Sequence, residues 1–252
     1  MRDALLAAIR NGELFVLYQP QVSVEERRVV AVEALVRWQP SEGEFVPPSD
    51  FVPFAEQNDL IDPLGSYVLE RACQDAAAWQ SLRVAVNVSQ KQFALPDLAE
   101  FICSIAQKSG LELSQLEVEV TETADFPDRA SAIDQLKILQ MRGVIVSLDD
   151  LGSGNATKEL MAALPLTRVK LGRGLVATCQ TSEGAAHLRD LIGAARARGL
   201  GVTAEGVETK AECELMRAFG CDLMQGFFFA EPMRAEEVAD FVEKSSMKWR
   251  VA

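Results

Sequence analysis

Carboxylates, amides and one lysine recur where short β-branched runs end in this chain of 252 residues. The run VAVNVS reaches Asn87, and LEVEVTE carries Glu117 and Glu119 with Glu122 closing it. VIVSLDD closes on Asp149 and Asp150 and is followed by LGSG; TRVKL contains Lys170, and VTAEGVE contains Glu205 and Glu208. Gln225 stands in a weaker run, CDLMQG, and Glu33 interrupts the otherwise apolar RRVVAVEALVRW. Crowded carboxylates repel and raise one another's pKa unless a cation compensates. Oxygen ligands without imidazole or thiolate select hard cations such as Mg²⁺, Mn²⁺ or Ca²⁺. Adjacent Asp149 and Asp150 suit two ions, one carboxylate bridging while its neighbour holds the second. Paired ions about 3.5–4 Å apart are a known solution for phosphodiester hydrolysis.

Other chemistries are poorly supplied. The single histidine, His187, falls inside the amphipathic helical pattern SEGAAHLRDLIGAARARG, where a solvated or packed imidazole is expected. One histidine cannot build an HExxH zinc site, and a Ser-His-Asp or Cys-His triad would have to recruit it from mid-helix. Taken singly, each carboxylate reads as a solvated strand cap, Lys170 as a surface lysine and Trp38 as packing. Glu117 and Glu119 share a face by period two, so one of them is open to a surface role. Only the joint pattern across six or seven strand ends outweighs these plainer readings.

The elements that must position these residues form a strand-then-helix rhythm. Strand-like runs alternate with helical patterns such as SYVLERACQDAAAW, LAEFICSIAQKS, RASAIDQLKILQM and KAECELMRAFG, several ending on a glycine stop (Gly143, Gly199, Gly220). Alternation of this kind implies a mostly parallel sheet with helices outside, and roughly eight strands in this length point to a TIM (β/α)8 barrel. The first two strands have little between them, so the barrel should start irregularly. An open doubly wound sheet is the competitor, without a GxGxxG to support it. In a parallel barrel the C-terminal strand ends share one rim, which gathers the polar residues at a single mouth.

Composition sets the outer limits. With 25 basic and 37 acidic residues the net charge is −12, which disfavours duplex nucleic acid and anionic lipid as partners. No apolar run approaches the roughly 18 residues of a membrane span, and the N-terminal stretch is too short and broken for a signal peptide. Five cysteines without a CxxC read as buried thiols in a reducing cytoplasm.

The run EALVRW, Glu33 to Trp38, resembles the signature of EAL-domain cyclic-di-GMP phosphodiesterases. The resemblance continues in order through LYQP, PSDFVPFAEQNDLIDPLGSYVLERAC, NVS, EVTE, DDLGSG, Lys170, AEGVE and QG followed by Pro, so it spans residues 1–252 as a single domain, with a longer multidomain parent compatible. It implies a modified TIM barrel with one irregular, antiparallel strand near the N-terminus. It also implies hydrolysis of cyclic di-GMP to 5′-pGpG by a mechanism using two Mg²⁺ or Mn²⁺ ions, with Ca²⁺ inhibiting. A homodimer is expected from the same likeness. A catalytically weak or inactive cyclic-di-GMP receptor is the alternative, and an aldolase-type or enolase-like barrel using Lys170 a more distant one.

The same resemblance assigns residues. Glu33, Asn87, Glu119 and Asp149 match ligands of a first ion, with Asp149 bridging and Asp150 and Glu205 serving the second ion and its water. Lys170 matches the lysine that holds that water or stabilises charge. Glu122 and Glu208 match carboxylates that brace the active-site loop. Gln225, Leu35 and Arg37 match substrate-side groups, as does Gln19 of LYQP. The chain departs from the pattern in three places. LGSGNATKEL follows Asp150 where DDF and a Tyr-Ser-Ser stretch are usual, Gly172 replaces the Asp of KxD, and Phe227 stands where Tyr is common.

Overall fold

In a computed structural model, residues 1–41, 43–79, 81–121, 126–152 and 157–248 are described. Eight strands close into a barrel in chain order. They are β1 (Leu14–Ser23), β2 (Val29–Trp38), β3 (Arg83–Asn87), β4 (Leu116–Thr121), β5 (Ile145–Leu151), β6 (Arg168–Leu171), β7 (Gly201–Ala204) and β8 (Leu223–Gln225). Helices α1 (Arg2–Asn11), α2 (Pro48–Gln57), α3 (Ile61–Ala77), α4 (Leu98–Lys108) and α5 (Arg129–Met141) fall before β5. After it come α6 (Thr157–Ala163), α7 (Arg173–Val176), α8 (Ser182–Ala197), α9 (Lys210–Phe219) and α10 (Ala235–Lys248). Six of the strand pairings are parallel; β1 runs antiparallel to both neighbours, β2 and β8. The cause is local: residues 24–28 join β1 directly to β2, and so short a link can only reverse the chain, since a parallel crossover needs a dozen residues or more. The irregular start expected from the sequence is this reversed strand.

Two faces of each strand do different work. Val84, Val86, Val118, Val120, Val146, Leu148, Val169, Leu171 and Val202 are buried against the helices and form the continuous hydrophobic core. Period two sends the alternate residues into the lumen, and there the usual filling of bulky branched side chains is replaced by polar ones. Gln21, Glu33, Glu117, Glu119, Ser147, Lys170, Thr203 and Gln225 are all buried. Glu117 therefore corrects one expectation: neither it nor Glu119 reaches the surface, because in a closed barrel the shared face is interior. Trp38 packs edge-on against Phe51 in the core, as packing rather than a stacking platform.

Local signals end the helices as the sequence suggests. Gly143, Gly199 and Gly220 adopt φ of +93°, +72° and +94°. Thr209 and Glu212 form a reciprocal capping box that starts α9 just after the strand-end residues Glu205 and Glu208. Gly226 has a different task. A Cβ there would lie 2.1 Å from the Val207 carbonyl oxygen, so β8 can approach the segment after β7 only with glycine at this position. Gly226→Ala should therefore cost about 1–3 kcal/mol by chemical denaturation, the usual range for overpacking. Gly220→Ala, at a left-handed position with open space around it, should cost nearer about 1 kcal/mol. Equal losses in the two variants would show that contact with Val207 is not what demands glycine at 226.

Candidate active site

The C-terminal strand ends bring Glu33 (β2), Asn87 (β3), Glu119 (β4), Asp149 (β5), Lys170 (β6), Glu205 (just after β7) and Gln225 (β8) to one mouth. Lys170 stands at the centre, fully buried. Its Nζ lies 2.6 Å from Glu205 Oε1, 2.7 Å from Glu119 Oε1, 3.1 Å from Asp149 Oδ1 and 3.6 Å from Glu33 Oε2. One ammonium thus faces four carboxylates. Burial alone would pull the Lys170 pKa down, but the four acids outweigh it and hold the amine above the ordinary lysine range. The acids respond in the opposite way. Burial, reinforced by neighbouring carboxylates, lifts Glu119 well above the normal range and Glu205 to about 8, and the lysine offsets only part of this.

Unmet valences show what the cluster lacks. Neither oxygen of Glu119, nor Asp149 Oδ1, nor Lys170 Nζ has a hydrogen bond of normal geometry although all are buried. Glu33, Glu119 and Asp149 each direct an oxygen to within 4.8 Å of the others. Buried, oxygen-only and short of positive charge, this donor set fits a hard divalent cation. Asn87 Nδ2 donates to Glu33 Oε1 at 3.0 Å, which leaves the Asn87 side-chain carbonyl oxygen for a cation. Asp150 departs from regular strand geometry where the register between β5 and β6 shifts. Its φ is +55°, and a Cβ on Gly172 would fall 2.1 Å from its Oδ1, so the carboxylate lies over the space that any side chain at position 172 would fill.

An amide ladder fixes the wall beside Glu33. Gln225 Nε2 donates to Glu33 Oε2 at 2.6 Å and to Gln19 Oε1 at 2.9 Å, while Gln21 Nε2 donates to Gln225 Oε1 at 3.0 Å. Gln19 closes the row by donating to the Ala230 carbonyl at 3.2 Å. Gln21 was not singled out in the sequence, though its period-two relation to Gln19 in LYQPQ was a usable signal. Two clefts open at this mouth, and Leu35 borders both. A groove of about 460 Å³ carries Arg37, Pro48, Ser49, Glu56, Asn87 and Ser89. A smaller cleft of about 220 Å³ carries Gln19, Glu33, Arg173, Glu205, Glu208, Gln225 and Phe227.

The remaining expected residues sit further out. Arg37 is half-buried and donates to the Val36 carbonyl at 2.9 Å; burial lowers its pKa, and Glu33 partly restores it. Glu208 pairs with Arg173 at 2.6 Å on the exposed lip, tying the segment after β7 to α7. Arg173 was missed because a basic residue after a strand looks like any solvated charge. Ser89, also missed, donates to Glu56 at 2.6 Å and so joins α2 to the segment after β3. Glu122 lies outside the described residues, as do residues 153–156 of the altered loop.

Comparison with known proteins places this geometry in a family. Residues 2–232 match the family model described as EAL domain. An uncharacterized signaling protein of Caulobacter vibrioides is 38% identical over 230 residues, covering 90% of this chain and 28% of that protein. The oxygen sensor protein DosP of Escherichia coli is 34% identical over 241 residues, 93% of this chain and 30% of its own length. The chain thus spans under a third of these curated relatives. Among solved structures, the PaMucR phosphodiesterase in complex with c-di-GMP superposes with a TM-score of 0.87 at 32% identity, covering 94% of this chain and 98% of that one. The chain belongs to the EAL domain family.

Proposed function

We propose that this domain hydrolyses cyclic di-GMP to linear 5′-pGpG. The observation that carries the reading is the Lys170-centred cluster of four carboxylates, set at the strand ends beside two clefts. The family and the structural match to a phosphodiesterase holding c-di-GMP support the substrate. In the reaction water adds across one P–O3′ bond, its oxygen joining phosphorus and a proton going to the departing 3′-oxygen. Glu33, Asn87, Glu119 and Asp149 would hold one Mg²⁺ or Mn²⁺, and Asp150 and Glu205 with Asp149 a second. Such ions supply Lewis-acid charge to the phosphate and acidify water.

The chain's own residues do the rest. Lys170 directs its protons at the position of the attacking water and of the charge that develops on phosphate. Glu205, 2.6 Å from Lys170 Nζ, would stand beside the attacking water and is suited to take its proton once the cations keep the carboxylate ionised. Arg37 offers a bidentate contact to a phosphate oxygen, while Gln19, Leu35 and Gln225 line the path of the base and sugar. Glu208 braces the segment after β7 through Arg173, and the resemblance gives Glu122 a like role. A homodimer working in the cytoplasm, where the five unpaired thiols stay reduced, completes the reading. Among the described residues no helix is long and apolar enough to cross a membrane.

Chromatography of cyclic di-GMP after incubation with the purified chain tests the reading. Mg²⁺ or Mn²⁺ should yield pGpG, and Ca²⁺ should permit binding without turnover, since it accepts 6–8 ligands at roughly 2.3–2.6 Å rather than an octahedron at about 2.0–2.1 Å. Glu33→Ala, Asn87→Ala and Asp149→Asn should each abolish the product. Bound but intact cyclic di-GMP with both active metals would make the domain a receptor instead.

Lys170→Ala should lower turnover by about two orders of magnitude or more while substrate affinity stays within about tenfold. Loss of affinity with turnover intact at saturation would reduce Lys170 to a phosphate clamp. A third measurement follows from the raised carboxylates. Glu119 and Glu205 bind protons more tightly folded than unfolded, so without divalent ions their contribution to stability falls as pH rises from about 4.3 in the unfolded chain through about 8. Thermal melts in chelator should therefore decline between about pH 5 and 8, and Mg²⁺ should restore stability most at the upper end. A flat profile in chelator would mean that these acids are not held protonated.

A further inference from the structure

The barrel has a second mouth, at the N-terminal ends of its strands, and that mouth is lined with arginine. Arg83 opens β3 and Arg168 opens β6, in the lumen layer beneath Glu119 and Lys170. The Nε atoms of both are buried and have no hydrogen-bond partner. Arg168 donates weakly from Nη1 to Thr203 Oγ1 at 3.4 Å, and its Nε stops 3.8 Å from Glu117 Oε1. That is beyond a hydrogen bond, and Glu117 already accepts from the Ser147 hydroxyl. The Arg83 side chain makes no ion pair or hydrogen bond with any described residue. Burial and the neighbouring Arg168 act against its charge and Glu117 and Glu26 restore it only in part, so two guanidiniums share one buried carboxylate, Glu117.

A cavity of about 730 Å³ opens below them to solvent, and its rim adds Arg27, Arg196 and Arg217. The acids on that rim are mostly spent. Asp222 pairs with Arg196 at 2.6 Å, and Glu26 with Arg28 at 2.5 Å, leaving Glu25 as the acid there without a partner among the described residues. Arg217 is exposed and likewise unpaired among them. We propose that this floor cavity binds a phosphate group, free or carried on a small ester, through Arg83, Arg168 and Arg217. A tetrahedral dianion can accept from several guanidinium forks at once and would add the negative charge that two guanidiniums sharing one carboxylate lack. In a chain of net charge −12, a concave surface this rich in arginine is the place where an anion would be drawn. The volume exceeds one phosphate, so there is room for the rest of an ester.

Calorimetric titration of the full chain tests this, in chelator so that no divalent ion can hold phosphate at the other mouth. Inorganic phosphate and a nucleoside 5′-monophosphate are titrated separately at constant ionic strength, with chloride as control. Saturable binding is expected for at least one, and tighter binding of the monophosphate would identify an ester as the occupant. Arg83→Gln or Arg217→Ala should weaken it by about tenfold or more, the scale of one lost charged contact. Because Arg217 is exposed, Arg217→Ala keeps the fold and decides the matter even if Arg83→Gln does not fold. No saturable heat with either ligand, or heat unchanged in every folded variant, would overturn the proposal. The outcome is independent of turnover at the other mouth.

Discussion

One buried ammonium facing four carboxylates is the constraint on which the rest of this structure depends. Taking even two charges out of water is costly unless they are paired and hydrogen-bonded, and here the acids outnumber the base. Such a cluster survives only because strands hold it. Each acidic side chain leaves, or immediately follows, a strand locked to both neighbours, so the carboxylates cannot swing into solvent to relieve their repulsion. The neutral amides help by donating without adding charge: Asn87 and Gln225 each satisfy one oxygen of Glu33. The deficit of positive charge is thus built into the backbone, which is the sense in which the site is ready for cations.

Much of this arrangement was legible in the sequence. Glu33, Asn87, Glu119, Asp149, Lys170 and Glu205 could be placed at one mouth because parallel strands all finish on the same rim. An irregular start could be read from the short link between the first two strands, while its reversal was implied only by the family resemblance. What could not be read depends on which way a strand's second face points. Glu117 looked eligible for the surface until closure of the barrel made both lumen positions interior. Asp149 and Asp150 are adjacent, but the left-handed backbone at Asp150 and the shift of register between Leu148 and Leu151 could not be read from adjacency. The closeness of Asp150 to Gly172 joins β5 to the residue that follows β6, a contact that no local pattern reveals. Arg83 and Arg168 were invisible for a similar reason. At the start of a strand a basic residue looks like a solvated flank, and only the register shows the two sharing a lumen.

The reversal of β1 carries a consequence for how such a domain could diverge. In a fully parallel barrel every strand begins at the floor, so the loops there are returns from helices, and altering one shifts a helix. Here the hairpin at residues 24–28 hangs at the floor with strand on both sides and no helix to drag. Its length is therefore mechanically insulated from the catalytic rim, which receives the opposite ends of the same two strands. An insertion there would reshape the arginine-lined opening while Gln19 and Glu33, paired across β1 and β2, stayed in register. That hairpin is the natural graft point for anyone wishing to give this barrel a new floor without retuning its chemistry.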